Sequence, residues 1–166
     1  MPSKSRAKQT AGTPAILAAE RAGIAFRVLE YTHDPGAESY GLEAAEALGL
    51  DPATVFKTLI ANVDAARLVV AIVPVSARLN LKNLAAAAGG KRAEMAHGAA
   101  AERATGYVLG GISPLGGRRP LPTVIDSSAL DHPIIHVSAG RRGLELALAP
   151  ADLRRLTNGT AAPIAT

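Results

Sequence analysis

The sequence has no cysteine and very few aromatic residues. Its 166 residues include two Phe, three Tyr and no Trp. Without cysteine, the chain has no disulfide, no thiolate metal site and no cysteine nucleophile. With so few rings, the hydrophobic core must consist mainly of Ala, Val, Ile and Leu. The length suits one domain, since domains commonly hold roughly 100–200 residues.

Long apolar runs are also missing. Residues 1–13 are polar and basic and no apolar segment follows them, so they do not form a secretory signal. No apolar run approaches the roughly 18 residues that a membrane-spanning helix needs. We therefore expect a cytoplasmic protein with no membrane partner. Residues 1–12 have almost nothing to bury and predict a disordered basic tail, and residues 13–166 predict a single domain.

The charge is unbalanced towards basic residues. The formal net charge is +4 and the pI is about 9.8. This excess is compatible with a polyanionic partner such as nucleic acid, and equally with an ordinary basic protein. Basic residues recur in pairs that are spread along the chain: Lys91-Arg92, Arg118-Arg119, Arg141-Arg142 and Arg154-Arg155. Pairs brought to one face by folding would form a phosphate-facing rim.

Capping residues and apolar periodicity predict helices and strands along the whole chain. Helices are predicted from Thr13-Pro14 to Gly23, over Gly41–Leu48, from Asn80 to Gly89-Gly90, over His97–Arg103 and over Pro150–Leu156, with a single turn at Asp51-Pro52. Strands are predicted at Ile24–Tyr31, Phe56–Val63, Leu68–Val75 (a central strand), Tyr107–Ile112, Pro122–Asp126, Ile134–Ser138 and Gly143–Leu148. Strands outnumber helices in the second half, which predicts an α+β fold with a mainly antiparallel or mixed sheet and helices packed on it.

The glycine-rich run Gly106–Gly117 is a candidate ligand loop. It lacks the Gly-Lys-Ser/Thr ending of a P-loop, and its glycine spacing does not match a dinucleotide fingerprint. Two interpretations remain open. The glycines allow the backbone to approach a ligand and offer N–H groups, or they form a β-bulge followed by a loop.

Two polar side chains in strand-like segments are also candidates. Ser138 has His136 where a nucleophile elbow needs glycine, so a serine that hydrogen-bonds a ligand is favoured over a catalytic triad. His136 and Ser138 share a strand face, which leaves a contact between them conceivable. Lys57 opens an apolar segment, so it is either an exposed strand end or directed at an anion. The four histidines show no paired metal spacing, and we expect no metal site.

Several motifs follow one another in order from about Thr13 to Leu156. They are Thr13-Pro-Ala, Tyr31-Thr-His-Asp-Pro35, Val55-Phe-Lys-Thr-Leu59, Glu94-Met-Ala96, Thr105-Gly-Tyr-Val-Leu-Gly-Gly-Ile-Ser-Pro-Leu-Gly116 and Ser138-Ala-Gly-Arg-Arg-Gly143. Taken together, they resemble the YbaK/EbsC family of bacterial aminoacyl-tRNA deacylases, relatives of the editing domain of prolyl-tRNA synthetase. The run from Thr105 to Gly116 is the most specific of them.

The resemblance implies a fold and an activity. The fold would be a twisted, barrel-like mixed sheet surrounded by helices. The activity would be removal of cysteine wrongly attached to tRNA(Pro), and also of cysteine from Cys-tRNA(Cys), by attack of the substrate's own thiol on the ester. No cofactor is implied. The partners would be the acceptor end of mischarged tRNA and prolyl-tRNA synthetase, and not DNA.

The resemblance also implies a set of site residues. Lys57, Gly110 and Ser138 would be catalytic, and Lys57 would hold the phosphate or ribose of the terminal adenosine. The substrate-binding residues would be Tyr31, Tyr40, Lys57, Gly110, Gly111, Ile112, Ser113, Pro114, Ser138 and Glu145. Tyr40 stands where the family usually has Phe. Glu145 stands where the family frequently has Asp or another small polar residue, and its side chain is longer. The alternatives are a deacylase of alanyl or other small aminoacyl esters that activates water, and a non-catalytic module that binds aminoacyl or nucleotide ligands.

Overall fold

The computed structural model describes residues 12–37 and 39–166, and this part contains five α-helices and eight strands. The helices are α1 (Pro14–Ala22), α2 (Tyr40–Leu48), α3 (Leu81–Ala87), α4 (Gly98–Thr105) and α5 (Pro150–Thr157). The strands are β1 (Phe26–Glu30), β2 (Phe56–Val63), β3 (Arg67–Pro74), β4 (Ala93–Met95), β5 (Thr123–Asp126), β6 (Ile135–Ser138), β7 (Leu144–Leu148) and β8 (Thr160–Ala162). The tail predicted to be disordered lies outside the described residues, except for Gly12.

The strands form two sheets. One is antiparallel with the order β1-β7-β6. The other has the order β4-β2-β3-β5-β8 and is mixed, because β5 runs parallel to both β3 and β8. A bridge between Val55, just before β2, and His136 of β6 links the two sheets. The predicted α+β class with mixed sheets and a central β3 is confirmed, but the described strands do not close into a barrel.

Local capping explains why most helices begin and end where the sequence predicts. The Thr13 hydroxyl accepts a hydrogen bond from the Ile16 N–H at 3.2 Å, and Pro14 occupies the first turn of α1. Gly23 ends this helix in the left-handed conformation, with φ 68°. Asn80 caps α3 in the same way as Thr13 caps α1, by accepting from the Asn83 N–H at 2.9 Å.

The predicted strand at Tyr107–Ile112 is wrong, because this segment is a loop. The Tyr107 hydroxyl donates to the Leu115 carbonyl at 2.6 Å and folds the run back on itself. Gly110 and Gly116 have positive φ angles of 84° and 69°, which interrupt extended backbone. Strands β4 and β8 were not predicted, since three residues are too few to establish an alternating pattern.

The larger hydrophobic core lies between the two sheets. It is almost entirely aliphatic, with Phe56 and Tyr107 as its two aromatic members. A smaller cluster covers the opposite face of β2 and β3, under α3. Within the described ranges, no helix is long and apolar enough to cross a membrane.

Candidate functional site

A cavity of about 390 Å³ brings together segments that are far apart in the chain. We call it the Lys57 cavity. Seven of the ten predicted site residues line it: Tyr31, Tyr40, Lys57, Gly110, Ile112, Ser138 and Glu145. The rest of the lining is Ser39, Gly41, Phe56, Thr58, Leu59, Ile60, Met95, Ala96, Ala101, Leu109, Arg141 and Leu144. The cavity is therefore a mainly apolar space with a few convergent polar groups, which is the usual character of a small-ligand site.

Three predicted site residues lie elsewhere. Ser113 and Pro114 line a separate cavity of about 280 Å³, and the buried Ser113 hydroxyl accepts from the Leu115 N–H at 3.2 Å. Gly111 does not line the Lys57 cavity. A Cβ there would lie 2.7 Å from the Cα of Arg141, so this glycine allows two backbone segments to pack closely.

Glu145 is the most deeply buried charged side chain in the Lys57 cavity. It lies on β7 opposite Ser138 of β6, and only 6% of its surface is exposed. No described residue donates a hydrogen bond to its carboxyl group. Burial raises the pKa of Glu145 to about 8. At neutral pH the group is thus mainly an uncharged acid that can donate a hydrogen bond.

Lys57 and Tyr31 are the other ionisable groups in the cavity whose pKa is shifted. Burial, and then the charge of Arg78, lower the pKa of Lys57. Within the described part of the chain, no carboxylate lies within ion-pair distance of its ammonium. Burial raises the pKa of Tyr31, and the nearby Glu145 raises it further. The lysine is therefore available to an anionic ligand, which would favour its charged form.

Tyr40 forms one wall of the cavity mouth, and its ring is held from several sides. The Cζ of Arg142 lies 4.9 Å from the ring centroid, and the His33 ring lies 5.8 Å away. A Cβ on Gly110 would come within 2.9 Å of both Cδ atoms of the ring. Arg142 also donates through Nε to the Leu109 carbonyl at 2.8 Å, which joins this wall to the glycine-rich loop.

No base among the described residues hydrogen-bonds to the Ser138 hydroxyl, although Glu145 lies opposite it on β7. The hydroxyl oxygen accepts from the Gly140 N–H at 3.2 Å, which leaves the hydroxyl hydrogen for a ligand. The His136 ring does not line the Lys57 cavity, and its Nδ1 lies 3.3 Å from the Thr54 carbonyl oxygen. Burial lowers the pKa of His136. The arrangement therefore leaves the Ser138 hydroxyl hydrogen unused among the described residues, without the hydrogen-bonded base that activates a serine nucleophile.

Two backbone N–H groups of the glycine-rich loop, at residues that line the cavity, have no acceptor among the described residues. The Leu109 N–H donates to the Glu102 carboxylate at 2.9 Å, and the Gly111 N–H donates to the Val108 carbonyl at 2.9 Å. Gly110 and Ile112 line the cavity, and neither donates to an acceptor in the described residues. These two groups are suited to an oxyanion or carbonyl ligand.

Sequence reasoning missed several lining residues. Thr58 is the most informative of them, since its buried hydroxyl oxygen has no hydrogen-bond partner among the described residues. The sequence signal that could have identified Thr58 is its hydroxyl group next to Lys57 in an otherwise apolar strand. Arg141 was singled out only as part of a basic pair. The apolar residues of the lining, such as Met95 and Leu109, carry no pattern that separates them from core residues.

Comparison with known proteins connects this geometry to a family. The family model of the aminoacyl-tRNA editing domain matches residues 34–156. EbsC of Enterococcus faecalis, to which a Cys-tRNA(Pro)/Cys-tRNA(Cys) deacylase activity has been attributed, is 43% identical over 122 residues, which are 74% of this chain and 74% of EbsC.

Two solved structures share the fold at 24% identity. A candidate trans-editing enzyme for prolyl-tRNA synthetase has a TM-score of 0.80, with 92% of this chain and 95% of that chain covered. The hypothetical protein APE2540 has a TM-score of 0.82, with 92% and 99% covered. The family resemblance expected from the motifs is confirmed, and the chain belongs to the aminoacyl-tRNA editing domain family.

Proposed function

We propose that this chain removes cysteine from mischarged tRNA(Pro), and from Cys-tRNA(Cys), acting as a separate protein on the charged tRNA. The observation that carries the proposal is the convergence of Lys57, Ser138, Glu145 and the Gly110 loop on one cavity, in a member of the tRNA editing family. The relative EbsC supports the choice of cysteine as the amino acid.

The terminal adenosine is bound through Lys57. The ammonium is half-buried and has no carboxylate partner in the described residues, so a phosphate or a ribose hydroxyl is a suitable ligand for it. The Tyr40 ring and the exposed side chains of Leu109 and Met95 give the mouth an apolar surface on which a base can pack. The ester then lies deeper, near Gly110 and Ser138.

The chemical step uses the thiol of the substrate. The sulfur attacks the ester carbonyl, the new S–C bond forms, and the C–O bond to the ribose breaks. The thiol proton passes to the departing ribose oxygen, and the cyclic thiolactone is later hydrolysed by water to cysteine. The Gly110 and Ile112 N–H groups stabilise the oxyanion, and the Ser138 hydroxyl donates a further hydrogen bond.

A required thiol would allow the enzyme to distinguish amino acids that are too similar in size for a pocket to separate. Cysteine, alanine and proline differ by an atom or two, and a pocket discriminates such differences by only about 1–3 kcal/mol. A reaction that requires a thiol excludes alanine and proline chemically. No base among the described residues hydrogen-bonds to the Ser138 hydroxyl, which is consistent with a protein that supplies geometry and donors rather than the nucleophile.

One observation favours a second candidate, a water-dependent deacylase of alanyl or other small aminoacyl esters. Burial raises the pKa of Glu145 to about 8, so a minority of its carboxyl groups is ionised at neutral pH, and this ionised form can accept a proton from water. Such an enzyme would cleave esters that lack a thiol. A non-catalytic binding module would bind the acceptor end and cleave none of them.

A deacylation panel separates these candidates. Purified protein is incubated with tRNA charged with Cys, S-methyl-Cys, Ala, Ser or Pro, and release of the amino acid is followed against a no-enzyme control. We expect rapid cleavage of the cysteinyl ester alone. Cleavage of the alanyl or S-methyl-cysteinyl ester at the same rate would contradict the thiol mechanism and favour the activated water. No turnover on any substrate would favour the binding module.

We also propose that prolyl-tRNA synthetase is the partner, and that the reaction takes place in the cytoplasm where tRNA is charged. A cavity of about 390 Å³ has room for the aminoacyl adenosine and not for the body of a tRNA. The tRNA body must then be recognised outside this cavity, and we propose that prolyl-tRNA synthetase supplies that recognition. Adding prolyl-tRNA synthetase should raise the rate on Cys-tRNA(Pro) more than the rate on Cys-tRNA(Cys), and equal rates would contradict the partnership.

A further inference from the structure

Glu145 is the one acid among the described residues that line the Lys57 cavity. The other charged side chains of this lining, Lys57 and Arg141, are both cationic. The thiol reaction proposed above gives Glu145 no contact with the substrate. A buried acid that has no partner among the described residues and no part in the reaction requires an explanation.

Strand pairing places Glu145 on the same side of the sheet as other polar groups of the site. Glu145 of β7 is the register partner of Ser138 of β6, and directly opposite residues of an antiparallel pair project to the same face. A parallel bridge joins Val55 to His136. Lys57 and Ser138 each follow this bridge by two residues, and side chains alternate between the faces of a strand, so these two share a face as well. The three side chains therefore project to one side.

Tyr31 belongs to the same group of side chains. Its N–H donates to the Gly143 carbonyl at 2.9 Å, which continues the pairing of β1 with β7 beyond Glu30. The phenol is close enough to Glu145 for the carboxylate charge to raise the pKa of Tyr31. A hydrogen-bond donor that enters this part of the cavity therefore meets a second acceptor, the phenol oxygen, near the carboxyl group.

The substrate of the proposed reaction carries one cationic group, the α-amino group of its amino acid. The terminal adenosine contributes only uncharged groups and a phosphate. Lys57 and Arg141 repel a cation, so Glu145 is the charged side chain of the described lining that attracts it. The amino group is attached to the carbon next to the ester carbonyl, so it enters the cavity together with the reacting atoms.

The protonation states of the two groups also match. The pKa of Glu145, raised by burial to about 8, is close to that of an α-amino group, about 7.7–8.0. The proton can therefore reside on either partner, because an ammonium donates to a carboxylate and a carboxylic acid donates to an amine. In both forms the carboxyl group gains a partner that no described residue supplies.

We propose that Glu145 binds the α-amino group of the aminoacyl ester, and that the chain therefore acts only on esters whose amino group is free. Formylated and peptidyl esters, in which this nitrogen is an amide, are excluded. The identity of the ester rests on the proposed function, whereas the amine site rests on the cavity alone. Glu145 is then a specificity residue and not the base of an activated water.

Two small substrates that differ only in the amino group test this contact. They are the 3′ esters of adenosine with cysteine and with 3-mercaptopropionate, which keeps the thiol and the ester. kcat/KM is measured on both for the wild type, Glu145→Gln and the control Glu46→Gln, which changes an exposed acid of α2. Each rate is divided by that of the spontaneous reaction, because the amino group also changes the reactivity of the ester.

We expect the wild type and Glu46→Gln to prefer the cysteinyl ester at least about tenfold, the usual gain from a hydrogen bond to a charged group. Glu145→Gln should lose most of this preference through a lower rate on the cysteinyl ester, and should keep its rate on the mercaptopropionyl ester. An equal loss on both esters, or an unchanged preference, would overturn the proposal. Equal rates of the wild type on the two esters would overturn it without any variant.

A binding measurement separates this proposal from the proposed function. It uses two unreactive amides, 3′-alanylamino-3′-deoxyadenosine and 3′-propionylamino-3′-deoxyadenosine, which differ only in the amino group. In calorimetry the wild type should bind the alanyl compound more tightly, and Glu145→Gln should bind both alike. If this result is found while no charged tRNA is deacylated, the proposed function fails and the amine site stands. If the wild type binds both alike while it cleaves Cys-tRNA(Pro), the proposed function stands and the amine site is wrong.

Discussion

At the scale of single residues, Lys57 supports the strongest expectation about binding. Lys57→Ala should lower kcat/KM on Cys-tRNA(Pro) by at least about tenfold, since charge-assisted hydrogen bonds contribute roughly 1.5–3 kcal/mol. The melting temperature should not fall, because removal of a half-buried ammonium also removes its desolvation cost. Steady-state kinetics and thermal unfolding measure the two effects.

The control for this variant is Lys82→Ala, which removes an exposed lysine from α3. It should have wild-type kinetics. Wild-type kinetics of Lys57→Ala itself would remove Lys57 from the site.

Substitution of Ser138 tests whether the protein or the substrate supplies the nucleophile. If its hydroxyl only donates a hydrogen bond, Ser138→Ala should lower kcat about fivefold, the equivalent of roughly 1 kcal/mol. The hydroxyl oxygen also accepts from the Gly140 N–H, so unfolding should be measured beside activity. Complete loss of turnover in a folded variant would favour a serine-centred mechanism.

At the scale of elements, the glycine-rich loop depends on Gly110. Its φ of 84° strains any other residue by roughly 1–2 kcal/mol, and a Cβ would lie 2.8 Å from the Arg142 Nε and 2.9 Å from the Tyr40 ring. Gly110→Ala should therefore lower the free energy of unfolding by at least about that amount and displace Tyr40 from the cavity mouth. We expect a loss in kcat/KM larger than the loss in stability explains.

Gly117→Ala is the matched control in the same loop. A Cβ there would have its nearest neighbour at 3.7 Å, and the backbone does not have a positive φ. This variant should unfold and react like the wild type. Equal behaviour of the two variants would mean that the shape of the loop at Gly110 does not matter.

The elements also show where sequence reasoning succeeds. Capping residues such as Thr13 and Asn80 act within one turn of a helix, as does Pro14. The helix starts that they cause can therefore be predicted from neighbouring residues in the sequence. The segment Tyr107–Ile112 has the composition of a strand, and its loop is imposed by a hydrogen bond from Tyr107 to Leu115. That bond depends on folding of the whole run, which no local pattern contains.

At the scale of the whole molecule, the cavity could be predicted only in part. The motifs select Lys57, Ser138 and Glu145 because their chemistry differs from that of their apolar neighbours. They do not separate Gly110, which lines the cavity, from Ser113, which lines another one. That distinction depends on how the loop packs on distant segments. How deeply Glu145 is buried likewise depends on the other sheet residues around it.

The burial of Glu145 should make the stability of the whole protein depend on pH. Its pKa rises from 4.5 to about 8 on folding, so the folded state binds more protons than the unfolded state between these values. The contribution of this group to stability is therefore lost progressively as the pH rises from about 4.5 through about 8. Glu145→Gln cannot ionise and should unfold with a smaller pH dependence, and with greater stability than the wild type at pH 8.

Urea unfolding at pH 5, 6.5 and 8 measures this difference. The relevant quantity is the change of unfolding free energy with pH in the variant, compared with that in the wild type. Parallel curves would show that Glu145 ionises in the folded protein as easily as in the unfolded chain.

The pairing of β1 with β7 determines when the Lys57 cavity can form during synthesis of the chain. These strands lie near opposite ends of the chain, and the Tyr31 N–H donates to the Gly143 carbonyl at 2.9 Å. During synthesis, the ribosome must therefore release Glu145 before the wall that contains Tyr31 can be completed. A chain that stops before β7 therefore lacks both Glu145 and the strand that pairs with β1, so the Lys57 cavity can be completed only after β7 has been synthesised.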